Sequence, residues 1–273
     1  MDNRDADNLI ANKPVNKNHT FVVLAYKESE YLKNCIESLL NQTVSSNILI
    51  ATSTDNNYIR QMAERYGLQV TVNHDPTGIA GDFDFGLAAG KTEFVTIAHQ
   101  DDYYEPGYLE EISKSMDDEI IIIFTDYYEE HPDGTQHINR NLRIKRIMLA
   151  PLRLKCLQGN RWIRRRILSL GNPICCPAVT FHRSKIQESI FQSDFRSNMD
   201  WKAWELLSRK KGRFVYVPKQ LMMHRIHEES TTTEIINEGK RRNEDFRMMC
   251  LFWPKHIAKK LSKIYAKSEK NNH

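Results

Sequence analysis

The chain has 273 residues, of which 40% are hydrophobic and 27% are charged, and its formal net charge is +4. These values are ordinary for a globular domain. The cysteines lack paired C-x-x-C spacing, which argues against a disulfide scaffold or a cysteine-based zinc site. No apolar run approaches the ~20 residues of a membrane-spanning helix. The polar residues 1–18 show no signal-peptide pattern and are expected to be flexible, so we expect a cytoplasmic protein.

Short apolar runs alternate along the chain with amphipathic stretches. Strands are predicted at residues 21–25, 48–51, 70–72, 94–98 and 120–125. The helices between them are expected at residues 28–40, 58–66, 83–89 and 105–115, with Asp55 capping the second, Gly67 ending it and Gly90 ending the third. This alternation predicts an α/β fold with a mostly parallel sheet covered by helices. The loops after Ala25, Ala51 and Ala98 should then lie on one rim of the sheet.

The tetrad His99-Gln100-Asp101-Asp102 follows the predicted strand at residues 94–98 and precedes Pro106. Ligands of open α/β sheets collect beyond the carboxyl ends of the strands. Two carboxylates there can ligate a divalent metal, which commonly neutralises phosphate. Alternatively, the aspartates cap the helix predicted at residues 105–115. Taken alone, the tetrad is compatible with either interpretation.

A basic segment, residues 138–172, lies within a stretch from Asp133 to Glu188 that contains no acidic residue between its two ends. Its arginines and lysines alternate with apolar residues at helical spacing. Such a segment can lie on an anionic membrane surface or receive an anionic ligand. A nucleic-acid surface has no accompanying motif and is not expected. A helical pair with solvated arginines is the remaining alternative.

Several motifs together resemble family 2 glycosyltransferases of the GT-A (Rossmann-like) fold over residues 19–230. They are Ala25-Tyr26-Lys27-Glu28, Leu39-Leu40-Asn41-Gln42-Thr43, Ser53-Thr54-Asp55, the stretch from Gly78 to Gly86, the His99 tetrad and Met199-Asp200-Trp201. The resemblance implies a GT-A domain at residues 19–230 that includes the basic helical segment as an insertion. Residues 231–273 would then form a C-terminal helical extension.

The resemblance also implies roles for individual residues. The donor nucleotide would be bound by Ala25, Tyr26, Glu28, Thr52, Ser53, Asp55, Asp82, His99, Gln100 and Arg225. A divalent metal, Mn²⁺ or Mg²⁺, would be ligated by Asp101, Asp102 and His227. A UDP-sugar is the expected donor.

The chain departs from the family pattern at three places. Residues Ile50-Ala51-Thr52 stand where the family has Asp-Asp-Gly, so a hydroxyl or a backbone group must replace a base-contacting carboxylate. Residues 82–84 read Asp-Phe-Asp instead of Ala-Arg-Asn. His99 replaces the first aspartate of the DXD signature. Imidazole suits Mn²⁺ better than Mg²⁺, but His99 could equally bind the sugar or lie in the core.

Asp200 is the candidate general base. It matches the aspartate of the family's Glu-Asp motif, whose glutamate is Met199 here. A carboxylate within hydrogen-bond reach can take the proton of the attacking acceptor hydroxyl. Its alternative role is to cap the helix that follows. Trp201 and Trp204 could stack on an acceptor sugar or belong to the core.

Residues 224–227, His-Arg-Ile-His, follow a predicted strand at residues 214–218. Arg225 and His227 are two residues apart and can face one diphosphate. A surface role at a sheet edge is the alternative.

The sequence is compatible with two functions. The first is a metal-dependent inverting glycosyltransferase that transfers a sugar to a glycan or lipid-linked saccharide, in cell-surface polysaccharide synthesis, with peripheral contact at the inner face of the membrane. The second is a degenerate GT-A protein that binds nucleotide or glycan without turnover. A nucleotidyltransferase is less favoured because the loop at residues 25–28 is not a glycine-rich phosphate loop.

Overall fold

The computed structural model describes residues 13–186, 189–192, 194–227 and 240–270, with the side chains of 240–242 and 267–270 left out. Two predictions fall partly outside these ranges: the flexible start at residues 1–12, and the C-terminal extension at residues 231–239 and 271–273. Residues 228–230, at the end of the predicted GT-A domain, also lie outside them. Within the described ranges no helix is both long and apolar enough to cross a bilayer.

The first half of the chain alternates strands and helices. Its elements are β1 (Val15–Ala25), α1 (Leu32–Leu40), β2 (Ser45–Thr52), α2 (Asn57–Tyr66), β3 (Gln69–Val72), α3 (Ile79–Ala89), β4 (Phe94–His99), β5 (Tyr103–Tyr104), α4 (Tyr108–Ser113) and β6 (Ile120–His131). Strand β1 begins inside the stretch predicted to be flexible, because Val15 pairs with Ser45. The remaining predicted strands and helices of this half occur with shifted ends.

The second half is more helical. It contains β7 (Gly134–Gln136), α5 (Arg140–Leu149), α6 (Lys155–Gln158), α7 (Arg161–Leu168), β8 (Val179–His182), α8 (Met199–Ser208), β9 (Arg213–Arg225), α9 (Lys240–Cys250) and α10 (Lys255–Lys270), with 3-10 turns at Ala150–Arg153, Cys176–Ala178 and Arg183–Lys185. The basic segment is therefore helical, as predicted.

The strands of the described ranges form one sheet in the order β3-β2-β1-β4-β8-β6-β9-β5, with β7 paired to β6. Strands β3, β2, β1 and β4 are parallel, and β8 is antiparallel to both β4 and β6. The prediction of an α/β fold with a mostly parallel sheet is confirmed. The register pairs Ala25 with Thr52 and Leu24 with His99, so β1, β2 and β4 end at one rim.

Two cores cover the two faces of the sheet. The first contains apolar side chains of α3, α5, α7, α8, α9 and α10, and the second contains those of α1, α2 and α4. Trp201 and Trp204 are fully buried in the first core. Stacking of either residue on an acceptor sugar is therefore excluded in this conformation.

Helix ends account for several local differences from the predictions. Asn56, not Asp55, caps α2, because its side chain accepts the Ile59 N–H at 2.9 Å. Asp55 instead forms a two-bond ion pair with Arg60. Gly67 ends the helix with φ +64°, as predicted. Helix α4 starts after Gly107 with no side-chain cap, so the aspartates of the tetrad do not cap it.

Arg164 is an exception to the prediction that the arginines of the basic segment are solvated or lie on a membrane surface. Its side chain is 1% exposed and donates to the carbonyl oxygens of Ser208 and Lys210 at 3.1 and 2.7 Å, and also to that of Gly212. These carbonyls lie at and beyond the end of α8, where a cation is favoured by the helix dipole. Arg164 is thus a structural cap of α8.

Candidate active site

The loops after β1 and β4 are joined at the rim by hydrogen bonds between a side-chain amide and the backbone. The Gln100 side chain accepts the Tyr26 N–H and donates to the Tyr26 carbonyl, both at 3.0 Å. The Lys27 N–H donates to Thr54 Oγ1 at 2.5 Å, and Lys27 has a positive φ of 56°. The predicted donor-binding residues Tyr26 and Gln100 therefore contact each other, and the amide of Gln100 orients the β1 loop.

Asp82, in the first turn of α3, contacts the residues that follow β2 and β3 at the same rim. Ser53 donates to one of its carboxylate oxygens at 2.7 Å and Asn73 to the other at 2.9 Å. Thr52, which stands in place of the family's glycine after two aspartates, is buried and accepts the Thr54 N–H at 3.0 Å. Three predicted donor residues, Thr52, Ser53 and Asp82, are therefore adjacent, and Asn73 was missed.

Two other predicted donor residues are solvent-facing. Glu28 and Asp55 are exposed, while Ala25 is buried at the end of β1. The hydrogen bond from Arg60 lowers the pKa of Asp55. Asp84 lies deeper and accepts three backbone N–H groups, from Ile190, Phe191 and Gln192, at 2.9–3.2 Å. It therefore anchors the loop after β8.

Asp101 and Asp102 each contact a histidine near the end of β9, and one of these histidines is His227, the third predicted metal ligand. Asp101 Oδ2 lies 3.0 Å from His227 Nε2. Asp102 Oδ1 lies 3.0 Å from both His224 Nδ1 and the Arg225 backbone nitrogen. Both contacts bridge β4 to the end of β9, some 120 residues away in sequence. His224 was not among the predicted site residues.

His99, Asp101 and Asp102 form a compact cluster of possible metal ligands. One ligand atom from each lies within 4.8 Å of the others. His99 Nε2 and Asp102 Oδ2 are buried and have no hydrogen-bond partner among the described residues. Asp102 Oδ2 lies 3.7 Å from His99 Nδ1, beyond hydrogen-bond distance. A buried carboxylate oxygen and a buried ring nitrogen without hydrogen bonds are costly unless something else binds them. The donor set fits a divalent cation.

The protonation states agree with that fit. Burial lowers the pKa of His99 against the opposing effect of Asp102 and Asp101, so its imidazole is held neutral, the form that ligates metals. Burial works to raise the pKa of Asp101, but the hydrogen bond from His227 and the nearby histidines lower it overall. Burial also opposes charge on His224, yet the Asp102 carboxylate raises its pKa.

Arg225 is already engaged by protein groups. Its Nε donates to the Asp101 carbonyl at 3.0 Å, its guanidinium pairs with Glu130, and it lies 4.5 Å from the centre of the Tyr31 ring. Tyr31 also packs on His227, at 5.2 Å between ring centres. Arg225 thus supports the backbone of the loop that carries Asp101 and Asp102. Its predicted contact with the donor stays a prediction.

Asp200 is the second residue of α8 and is not its cap, since Asn198 holds that position. Its Oδ1 accepts the Trp201 N–H and its Oδ2 accepts a hydrogen bond from Asn172 Nδ2, both at 2.7 Å. Asn172 Oδ1 is buried and unpartnered among the described residues. Asn172 ends the basic segment and was missed, because nothing in the sequence links it to Asp200.

The backbone before α8 is held by the C-terminal helices. The Glu244 carboxylate accepts the N–H groups of Arg196, Ser197 and Asn198 at 2.9–3.1 Å. Trp253 Nε1 donates to the Ser169 carbonyl at 2.9 Å. The C-terminal extension therefore braces both the loop that carries Asn172 and the helix that carries Asp200.

The family model described as Glycosyl transferase family 2 matches residues 20–183. This chain belongs to that family. The match includes the rim loops and the His99 cluster, whereas Asp200 and His227 lie beyond it.

One sequence relative and two solved structures extend the comparison. EpsH of Bacillus subtilis (strain 168), a protein named as a glycosyltransferase, is 26% identical over 119 residues, which are 42% of this chain and 35% of EpsH. S. aureus TarS 1-349 in complex with UDP-GlcNAc is 13% identical with a TM-score of 0.63, covering 90% of this chain and 70% of that chain. The mannosyltransferase PcManGT from Pyrobaculum calidifontis, in complex with GDP-Man and Mn²⁺, is 13% identical with a TM-score of 0.59, covering 90% and 68%. At these identities the two structures establish that this family 2 protein has the GT-A fold.

Proposed function

We propose that the protein is a metal-dependent inverting glycosyltransferase that moves a sugar from a nucleotide-sugar donor to a glycan or lipid-linked saccharide. The observation that carries the proposal is the cluster of His99, Asp101 and Asp102 at the rim where β1, β2 and β4 end. Its unpaired buried atoms fit a cation, and a cation there would lie where α/β folds bind phosphorylated ligands.

The donor is proposed to bind across the β1 and β2 loops. Tyr26, Thr52, Ser53 and Asp82 offer backbone, hydroxyl and carboxylate groups along this rim. A UDP-sugar is the proposed donor, in keeping with the UDP-GlcNAc complex of the TarS structure. Because Ile50-Ala51-Thr52 replace the family's Asp-Asp-Gly, the base would be held by hydroxyl and backbone groups.

The metal, when bound, stabilises the negative charge that develops on the leaving diphosphate. Asp101, Asp102 and His99 would ligate the ion, and His227 would orient Asp101 through its 3.0 Å contact with Oδ2. The imidazole of His99 makes Mn²⁺ the preferred ion over Mg²⁺.

Asp200 is proposed to take the proton of the attacking acceptor hydroxyl. Asn172 and the Trp201 N–H hold its carboxylate at 2.7 Å each. The acceptor oxygen would attack the anomeric carbon on the face opposite the leaving diphosphate, and this single displacement would invert the anomeric configuration. The acceptor is proposed to be a growing cell-surface polysaccharide or its lipid-linked precursor.

A donor panel tests the proposal. UDP- and GDP-sugars are incubated with the protein and Mn²⁺, Mg²⁺ or EDTA, and nucleotide release and the product's anomeric configuration are measured. We expect release with Mn²⁺, loss with EDTA, and at least a 100-fold decrease in Asp101→Asn and Asp200→Asn. Glu64→Gln, an exposed substitution on α2, is the matched control. Turnover that persists in EDTA, or a retained anomeric configuration, contradicts the proposal.

A degenerate, non-catalytic protein is the second candidate, favoured by the altered residues Thr52 and His99 and by the engagement of Arg225 with Glu130. It would bind nucleotide without turnover. Binding of UDP with no release from any donor, in the parent and in Asp200→Asn alike, would support it.

A further inference from the structure

The end of the basic segment carries an exposed strip with apolar and basic side chains. Trp162, Leu170 and Ile264 are 66%, 52% and 65% exposed, and Arg166 is exposed between the first two. Residues 162, 166 and 170 are four apart, and helical hydrogen bonds continue through Ser169 and Leu170. They therefore share one side of α7 and its final turn. We call Trp162, Arg166, Leu170 and Ile264 the exposed strip.

Contacts join the two helices of this strip. The Arg166 guanidinium lies 5.6 Å from the Trp162 ring centre and 4.8 Å from that of Trp253. Gly171 abuts α10 so closely that a Cβ atom there would lie 2.7 Å from Tyr265 Cε2. Leu170 and Ile264 flank this contact in sequence. The final turn of α7 therefore packs against α10, the helix that carries Ile264.

The charge around the strip is positive. Residues 134–187 contain no carboxylate. On α10, the side chains of Lys255, Lys259, Lys260 and Lys263 are exposed. Exposed tryptophan and aliphatic side chains among lysines and arginines are typical of surfaces that lie in the headgroup region of an anionic bilayer. A soluble polyanion would need the cations but not the outward Trp162, Leu170 and Ile264.

The strip also adjoins the proposed catalytic base. Leu170 is two residues from Asn172, which donates to Asp200 at 2.7 Å. We propose that the exposed strip docks on an anionic phospholipid bilayer and brings Asp200 to a lipid-linked acceptor at the membrane surface. The second half of this inference rests on the proposed function, whereas the docking itself does not.

Vesicle co-sedimentation without donor tests the docking. We expect the full chain to pellet with phosphatidylcholine vesicles that contain about one-third phosphatidylglycerol, to remain in solution with pure phosphatidylcholine, and to be released as salt rises from about 0.05 to about 0.5 M. Replacing Trp162, Leu170 and Ile264 together by serine should weaken the partition coefficient at least about tenfold. Val15→Ser, at a residue 60% exposed at the opposite end of β1, is the control.

The outcomes separate docking from catalysis. If the parent fails to pellet, or the triple serine variant pellets as well as the parent, bilayer docking is overturned; the second result would indicate a site for soluble polyanions. Asp200→Asn should pellet like the parent. The triple variant should keep its donor turnover with a water-soluble acceptor while losing its preference for acceptors embedded in anionic vesicles. Normal pelleting by a protein without turnover would contradict the proposed function and leave the docking intact.

Discussion

Replacing Asn172 by alanine removes a single hydrogen bond to the proposed base. The bond from Asn172 Nδ2 to Asp200 Oδ2 is 2.7 Å long and involves a carboxylate. Such charge-assisted bonds contribute about 1.5–3 kcal/mol. If the bond orients Asp200 for proton transfer, its loss should decrease kcat roughly 10- to 150-fold. The KM for the donor should change little, because among the described residues the Asn172 side chain donates its hydrogen bond to Asp200 and not to the proposed donor loops.

The assay is a steady-state measurement of transfer to a water-soluble acceptor. Leu170→Ala, an exposed change two residues away, is the matched control and should be neutral. In an Asp200→Asn background, Asn172→Ala should have almost no further effect, because residues that act as one unit are not additive. A folded Asn172→Ala protein with kcat within about threefold of the parent would refute the reasoning, as would full additivity of the two changes.

Three further predictions concern stability and metal choice. Glu244→Ala strands three backbone N–H groups before α8, so it should lower the free energy of unfolding by about 2–4 kcal/mol in denaturant titrations, with the exposed change Glu64→Ala as control. Burial lowers the pKa of His19 to about 3, so between pH 6.5 and 3 only the unfolded chain binds this proton. The free energy of unfolding should therefore decrease by about 1.4 kcal/mol for each pH unit as the pH drops from about 6.5 towards 3. An equally steep pH dependence in His19→Gln would contradict this. His99→Asp, which restores the family's acidic residue, should shift the Mn²⁺-to-Mg²⁺ activity ratio at least about fivefold towards Mg²⁺, and an unchanged ratio would argue that His99 does not ligate the ion.

The proposed donor-binding rim follows closely from local sequence. Apolar runs ending at Ala25, Ala51 and Ala98 specify parallel strands, and parallel strands deliver their following residues to one rim. The ends of the elements were less predictable because neighbouring residues compete for them. Asn56 replaces Asp55 as a cap because the side chain of Asp55 pairs with Arg60.

The long-range contacts of Asp200 and Asp102 could not be predicted in the same way. Asn172 meets Asp200 across 28 residues of sequence, and His224 meets Asp102 across 122. No periodicity or capping rule encodes such contacts, which depend on how α7, α8 and β9 pack. The burial of Arg164 was likewise not predictable, since three of its carbonyl partners become available only where α8 ends.

The end of the basic segment is anchored through its backbone and not through its exposed side chains. Two indole N–H groups hold its end: Trp201 Nε1 donates to the Leu168 carbonyl and Trp253 Nε1 to the Ser169 carbonyl, both at 2.9 Å. Both bonds involve the backbone, so side chains that point outward from this turn can change without moving it. Asn172 therefore stays fixed beside Asp200 while Leu170 faces solvent. A surface that selects the acceptor's environment can thus vary independently of the group that orients the proposed base.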